Sequence, residues 1–543
     1  MKIQKFIVLL LFFTTFQFLL GQEKNDKQYS QVWVADNGDG TYKNPILYAD
    51  YSDPDAIRVG EDYYMTASSF NCIPGLPILH SNDLVNWKII GHALSKQKPT
   101  AVFDKPQHGN GVWAPCLRYH NSEFYIYYPD PDYGIYQIKA KNPEGPWSEP
   151  ILVKEGKGLI DPSPFWDEDG KTYLVYAFAG SRAGIKSILV ICTMNAEGTV
   201  ANNDEVMIID GHPDESTIEG PKMYKRNGYY YIFAPAGGVA TGWQTVLRSK
   251  TIFGPYEKKK VMDQGKSAVN GPHQGAWIQT QTGEDWFIHF QDQFVYGRVV
   301  HLQPMKWENN WPIIGADDDK NGVGEPVAVY KKPNVGKKNP QIETPEDSDE
   351  FNLPKLGLQW QWHANPQINW GFPTSMGYYN LNCIPIPKDA TTLYEIPNLL
   401  LQKFPSNEFT ATAKIKFNAR FDGESTGLVV MGLDYSYICF KQEKGKLFLS
   451  QKTSKNCDKK GVETESTPIA INNQNIYLQV KVQSGGICTF YYSENGKDFI
   501  KIGEHFTARE GKWIGAKIGF LALRQGFIND AGSVAIDWFR ITK

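Results

Sequence analysis

Three short stretches share one layout, and that layout constrains the fold more than any other feature of the chain. Ser52-Asp53-Pro54-Asp55-Ala56-Ile57-Arg58-Val59 turns at Gly60-Glu61-Asp62 into Tyr63-Tyr64-Met65. Ile160-Asp161-Pro162-Ser163-Pro164-Phe165-Trp166 turns at Asp167 to Lys171 into Tyr173-Leu174-Val175-Tyr176. Ile218-Glu219-Gly220-Pro221-Lys222-Met223-Tyr224 turns at Arg226-Asn227-Gly228 into Tyr229-Tyr230-Tyr231-Ile232. Each reads as an acidic residue ahead of a hairpin, marked by its turn residues and by aromatic and β-branched enrichment. If the stretches are copies of one unit, symmetry carries Asp53, Asp161 and Glu219 to equivalent places around one axis. Three convergent carboxyl groups point to acid/base chemistry on a sugar.

Two further copies complete the set. Trp113-Ala114-Pro115 precedes Cys116-Leu117-Arg118-Tyr119 and then Phe124-Tyr125-Ile126-Tyr127-Tyr128. His273-Gln274-Gly275 precedes Ala276-Trp277-Ile278-Gln279 and then Trp286-Phe287-Ile288-His289-Phe290. The copies recur at roughly 50–60 residues, the range of four-stranded propeller blades with longer loops. Leu84-Val85-Asn86-Trp87, Gly145-Pro146-Trp147 and Gly254-Pro255-Tyr256 read as outer-strand material. The expected fold is therefore all-β, beginning with a five-bladed β-propeller.

A chain of 543 residues exceeds what one core can organise, so a second domain is expected. The boundary falls in a basic, proline-broken stretch, Lys331 to Pro340, followed by the acidic run Pro345 to Glu350. The expected organisation is a leader over 1–21, the propeller over 22–335, a linker over 336–350 and a β-sandwich over 351–543. Two-residue alternation is clean in Phe409 to Phe417, Ile476 to Val482 and Ala535 to Ile541. Asn495-Gly496 marks a hairpin turn between Tyr491-Tyr492 and Phe499-Ile500. No catalytic constellation stands out in this second half.

The net charge of -3 gives no reason to expect a nucleic-acid partner. Lys2 and Lys5, the apolar run Phe6 to Leu20 and a cleavage point at Gly21-Gln22 read as a cleaved secretion signal. That run is shorter than the ~20 residues needed to span a bilayer, so no membrane span is expected. No cysteine follows the cleavage point, so the expected location is secreted or periplasmic. The seven cysteines are scattered, without metal spacing or a disulfide framework. Cys439 with Cys457 is the one pairing considered, and the rest are expected to be buried small hydrophobes.

The N-terminal part resembles glycoside hydrolase family 43. The carrying stretches are Asp53-Pro54, Ile160-Asp161-Pro162-Ser163 and Glu219-Gly220-Pro221. They are supported by Pro74 to Ser81, by Asp83-Leu84-Val85-Asn86-Trp87 and by Gly297 to Pro304. The C-terminal part is similar to the concanavalin-like sandwich (jelly roll) of the family's β-xylosidase and α-L-arabinofuranosidase branch. The resemblance implies an inverting, exo-acting glycosidase that releases terminal pentose from plant cell-wall polysaccharides or oligosaccharides. It favours α-L-arabinofuranosyl, with β-D-xylosyl a close second. Asp53 is then the general base, Glu219 the general acid, and Asp161 the residue that orients the acid and raises its pKa. Arg298 is expected to reach sugar hydroxyls, and Trp113 and Phe70 to form an apolar floor. His273 is expected to help hold a structural Ca2+ near the axis through water, with no cofactor required for the chemistry.

The chain departs from the family in carrying Asp55, so Asp50, Asp53 and Asp55 cluster; Asp53 remains the expected base. An endo-acting arabinanase is one alternative and would need an open groove. A non-catalytic glycan-binding propeller is the alternative from another class. Loss of one acid would mark it, and all three acids are present. A retaining enzyme would hold its carboxyl groups only about 5–5.5 Å apart.

Overall fold

The structure, a computed structural model, describes residues 29–336, 340–526 and 529–543. The expected secretion signal lies outside these residues. Among them no helix is long and apolar enough to cross a membrane.

Five antiparallel four-stranded sheets follow one another along the chain, each in simple up-and-down order. Their inner strands are Asp55–Val59, Cys116–His120, Leu159–Trp166, Lys222–Arg226 and His273–Gln279. The hairpins form where turn chemistry permits: Asn121-Ser122 and Asn227-Gly228 each supply two consecutive positive-φ residues. Such pairs match the twist of the flanking strands. Aromatic and aliphatic side chains then fill the seams between blades. Tyr63, Trp87, Trp286 and Ile288 pack between the first and fifth blades. Tyr173, Val175, Ile232 and Leu247 do the same between the third and fourth. The expected outer-strand segments sit slightly early: the outer strands are Trp87–Leu94, Ile151–Glu155 and Glu257–Met262. The glycine and proline residues ahead of them make turns, which proline's missing N–H favours over a sheet ladder.

The second half is a sandwich of two antiparallel-rich sheets. Phe409–Asn418 pairs with Asn475–Gln483 on one side and Ser533–Thr542 on the other. Its buried and less buried positions alternate along nearly the whole strand, as a one-sided sheet requires. The core between the sheets holds Trp360, Trp370, Phe440, Phe520 and Phe539. A second apolar layer, with Leu401, Val429, Tyr437 and Leu521, covers the outer face of one sheet.

All seven cysteines are free and buried. Cys439 and Cys457 both lie in that second apolar layer as thiols, so the pairing considered between them is not formed.

Candidate active site

The inner strands of the propeller begin with unusual backbone. Asp53 and Asp161, each directly before a proline, have φ of 53° and 56°. A non-glycine residue in the left-handed region is costly, and such positions cluster where surrounding structure fixes them for function. In the fourth blade the residue before proline is Gly220, with φ of 60°, so Glu219 stands one position earlier. His273 likewise precedes a positive-φ residue, Gln274. The three acids are therefore not in one register. Asp53 and Asp161 share one, while Glu219 and His273 share another. The pairing shifts after Ile160 and after His273 are β-bulges, a common device for re-aiming side chains.

Asp53 is 6% exposed and ringed by donors. Its Oδ2 accepts from Ser52 Oγ at 2.7 Å and Ser68 Oγ at 2.6 Å, and Arg298 Nη1 donates to Oδ1 at 3.0 Å. The Arg298 guanidinium also donates to Ser52 Oγ and lies over the Phe290 ring. Its backbone N–H is held by Asp50 at 2.9 Å. Arg298, expected to reach sugar hydroxyls, thus grips Asp53 directly.

Asp161 is almost fully buried, and its Oδ2 accepts from the Gly220 N–H at 2.7 Å. Burial, reinforced by the neighbouring Glu219 carboxyl, pushes the Asp161 carboxyl far above the usual carboxylate range. Glu219 keeps a quarter of its side chain open and stands 3.0 Å from His273 Nε2. The His273 ring is buried, and its Nδ1 has no protein partner. Among the described residues no three metal-ligating side chains converge. This donor set does not fit a directly ligated ion.

Asp55 has a different task. Fully buried, its Oδ2 accepts from Arg118 Nη1 at 2.8 Å and from the Leu117 N–H at 2.7 Å. It ties the first blade to the second.

Phe70 is 2% exposed and backs Trp113 edge-on, with ring centroids 6.5 Å apart. Trp113 is the more open of the two, anchored by its Nε1–H on Gly109 O and flanked by the Arg182 guanidinium. A residue absent from the sequence expectations completes this wall. Trp513, from the sandwich, is 44% exposed, lies edge-on to Trp113 at 6.3 Å and sits 5.9 Å from the Arg298 guanidinium carbon. Its segment is docked by the Gly515 N–H on Asp50. The signal that could have found it is the flanked tryptophan itself, Gly511-Lys512-Trp513-Ile514-Gly515.

The profile of glycosyl hydrolases family 43 matches residues 42–312. That of the β-xylosidase C-terminal concanavalin A-like domain matches residues 348–542. A putative β-xylosidase of Xylanibacter ruminicola is 38% identical, covering 90% of this chain and 87% of the relative. A non-reducing end α-L-arabinofuranosidase of Bacteroides ovatus is 31% identical, covering 75% and 77%. The crystal structure of the GH43 BlXynB protein from Bacillus licheniformis superposes with a TM-score of 0.80 at 28% identity, covering 92% of this chain and 99% of that one. Two domain profiles in the right order and relatives matched along most of their length leave one assignment: the chain belongs to glycoside hydrolase family 43 and is a glycosidase.

Proposed function

We propose that the protein is an inverting exo-glycosidase that removes a terminal pentosyl unit from plant cell-wall oligosaccharides. In this reading Asp53, gripped by Arg298 and two hydroxyls, deprotonates the attacking water. Glu219 delivers a proton to the leaving oxygen. It is the more open member of the Asp161–Glu219 pair, and Asp161 serves as its positioning residue, keeping one proton shared within the pair and available to Glu219. His273 fixes the Glu219 carboxyl from the other side. An inverting reaction needs the base and the acid on opposite faces of the sugar, about 6.5–9.5 Å apart. A water-held ion near His273 remains part of the proposal only as a structural element, and no step runs through it.

The observation that carries exo action is Trp513. This side chain from the sandwich stands against Trp113 and Arg298, and in this reading it closes one side of the funnel that a through-running polymer would need. The sequence leans to an α-L-arabinofuranosyl substrate. The name of the X. ruminicola relative, matched over 90% of the chain, moves the balance to β-D-xylosyl. The arabinofuranosyl reading stays second on the strength of the B. ovatus relative.

Side-by-side hydrolysis of 4-nitrophenyl β-D-xyloside and 4-nitrophenyl α-L-arabinofuranoside decides the sugar. Proton NMR of the first-formed product from a xylo-oligosaccharide decides the stereochemistry. Initial release of α-xylose supports inversion, and initial β-xylose would sink it. Release of internal fragments from xylan or arabinan, without monosaccharide, would replace exo by endo action.

A further inference from the structure

The propeller and the sandwich meet through a buried nitrogen–sulfur contact outside the sugar-facing groups. Lys517 is 4% exposed and Cys72 is 2% exposed, and Lys517 Nζ lies 2.9 Å from Cys72 Sγ. The other partner of the amine is Gln361 Oε1 at 3.3 Å. Among the described residues no carboxylate lies within ion-pair distance of Lys517. Its direct cross-strand partner is another lysine, Lys403. Burying an ammonium group without a counter-charge is expensive. Lys403 has the Asp50 carboxyl and the Tyr51 ring beside it, so Lys517 is the buried amine left without a counter-charge and in need of a chemical reason.

The segments joined here also matter. Cys72 follows Phe70 by two residues, and Lys517 follows Trp513 by four. The surrounding chain is already fixed: Ile73 and Trp362 exchange both backbone hydrogen bonds, and the Gln361 side chain donates to Pro74 O. Sγ and Nζ need only a small further approach for one oxygen atom to bridge them.

We propose that Cys72 and Lys517 form a reversible oxidative cross-link, an S–O–N bridge between the propeller and the sandwich. Dissolved dioxygen is the oxidant. One S–H and one N–H bond break, and one S–O and one O–N bond form. The second oxygen atom leaves as water with both hydrogens. Sulfur and nitrogen each lose two electrons, and dioxygen gains four. With hydrogen peroxide instead, two molecules are consumed and three of water form. The product nitrogen is far less basic than an amine, so the bridge relieves the charge problem beside Lys403. Thiols restore the starting pair, as for other reversible cysteine oxidation states.

The test is mass spectrometry on the full chain, air-oxidised or treated with hydrogen peroxide, with and without dithiothreitol. The expected result is a gain of about 14 Da, one oxygen less two hydrogens, that dithiothreitol removes. Proteolysis should yield one joined peptide containing Cys72 and Lys517, absent from Cys72→Ser and Lys517→Met. The thermal midpoint of the wild type should rise on oxidation and fall back on reduction, with no such shift in Cys72→Ser. Complete alkylation of Cys72 after denaturing the oxidised protein would overturn the proposal. So would gain of whole oxygen atoms on Cys72 with an unmodified Lys517 peptide, or a loss of about 2 Da, which marks a direct S–N bond. Should Lys517→Met fail to fold, the wild-type peptide map alone decides.

Discussion

The propeller and the sandwich are both built of antiparallel strands, yet they treat buried polarity differently. In the propeller, Asp50, Asp53, Asp55, Asp161, Lys222, His273 and Arg298 are all buried, and they gather where inner strands begin. The sandwich core between its sheets is apolar, and several of its buried polar groups, such as Gln361, His363 and Lys517, face the propeller. Five strand ends pointing at one axis can hold charges that satisfy one another. Two flat sheets face to face offer no such convergence, so polar burial there would go unpaired. Chemistry therefore belongs to the propeller, and the sandwich contributes through its seam.

The largest expected effect tests that division. Glu219→Gln should lower kcat on xylobiose by about a thousandfold or more, the scale of losing general acid catalysis. The loss on a 4-nitrophenyl glycoside, whose leaving group needs little protonation, should be much smaller. Asp53→Asn should depress both substrates alike. Equal losses on both substrates in Glu219→Gln would remove its role as the acid.

Asp55→Ala separates a structural acid from a chemical one two residues away. It strands Arg118 and should cost about 3–5 kcal/mol in chemical denaturation, the scale of breaking a buried pair. The fraction that remains folded should turn over normally. Trp513→Ala should raise KM about tenfold, consistent with loss of an aromatic contact, with a smaller change in kcat and an unaltered melting curve. An unchanged KM would reduce the sandwich to a support.

pH sharpens the comparison, because the two sides carry opposite slopes. Asp161 is raised, so the native protein holds a proton that the unfolded chain releases. Its contribution is full below the ordinary carboxylate range and is lost as pH rises through its folded value. Lys403, at the sandwich seam, is pushed by burial, and further by Lys517, down to about 8 from an ordinary 10.5. The native state there binds fewer protons, so stability rises between those two values. Asp161→Asn should flatten the acid-side slope and Lys403→Met the alkaline one, each read from denaturation midpoints against pH. The smallest effect belongs to the exposed sandwich pair Lys414–Asp537. Removing it should change stability by no more than about 0.5 kcal/mol.

Much of this was legible in the chain. The five hairpins show because turn residues and strand alternation are local signals, and the acids show because the unit repeats. The offset of Glu219 by one position is written in the chain, Glu219-Gly220-Pro221 against Asp53-Pro54 and Asp161-Pro162, but its consequence was hidden, since that depends on the positive φ shared by Asp53, Asp161 and Gly220. Arg298 on Asp53, Asp55 on Arg118 and Trp513 on Trp113 join segments far apart in sequence. Only the closed ring and the docked sandwich bring them together, and no local pattern announces such contacts.

The left-handed backbone at Asp53 and Asp161 carries a last consequence. A glycine at either position would relieve that backbone, but at Asp53 it would strand the buried Arg298 guanidinium and at Asp161 the Gly220 N–H. The same carboxyl groups that sit in strained backbone are what their neighbours are built around. Losing either aspartate would therefore remove strain and support together, and in the proposed reading a member of the catalytic set with them.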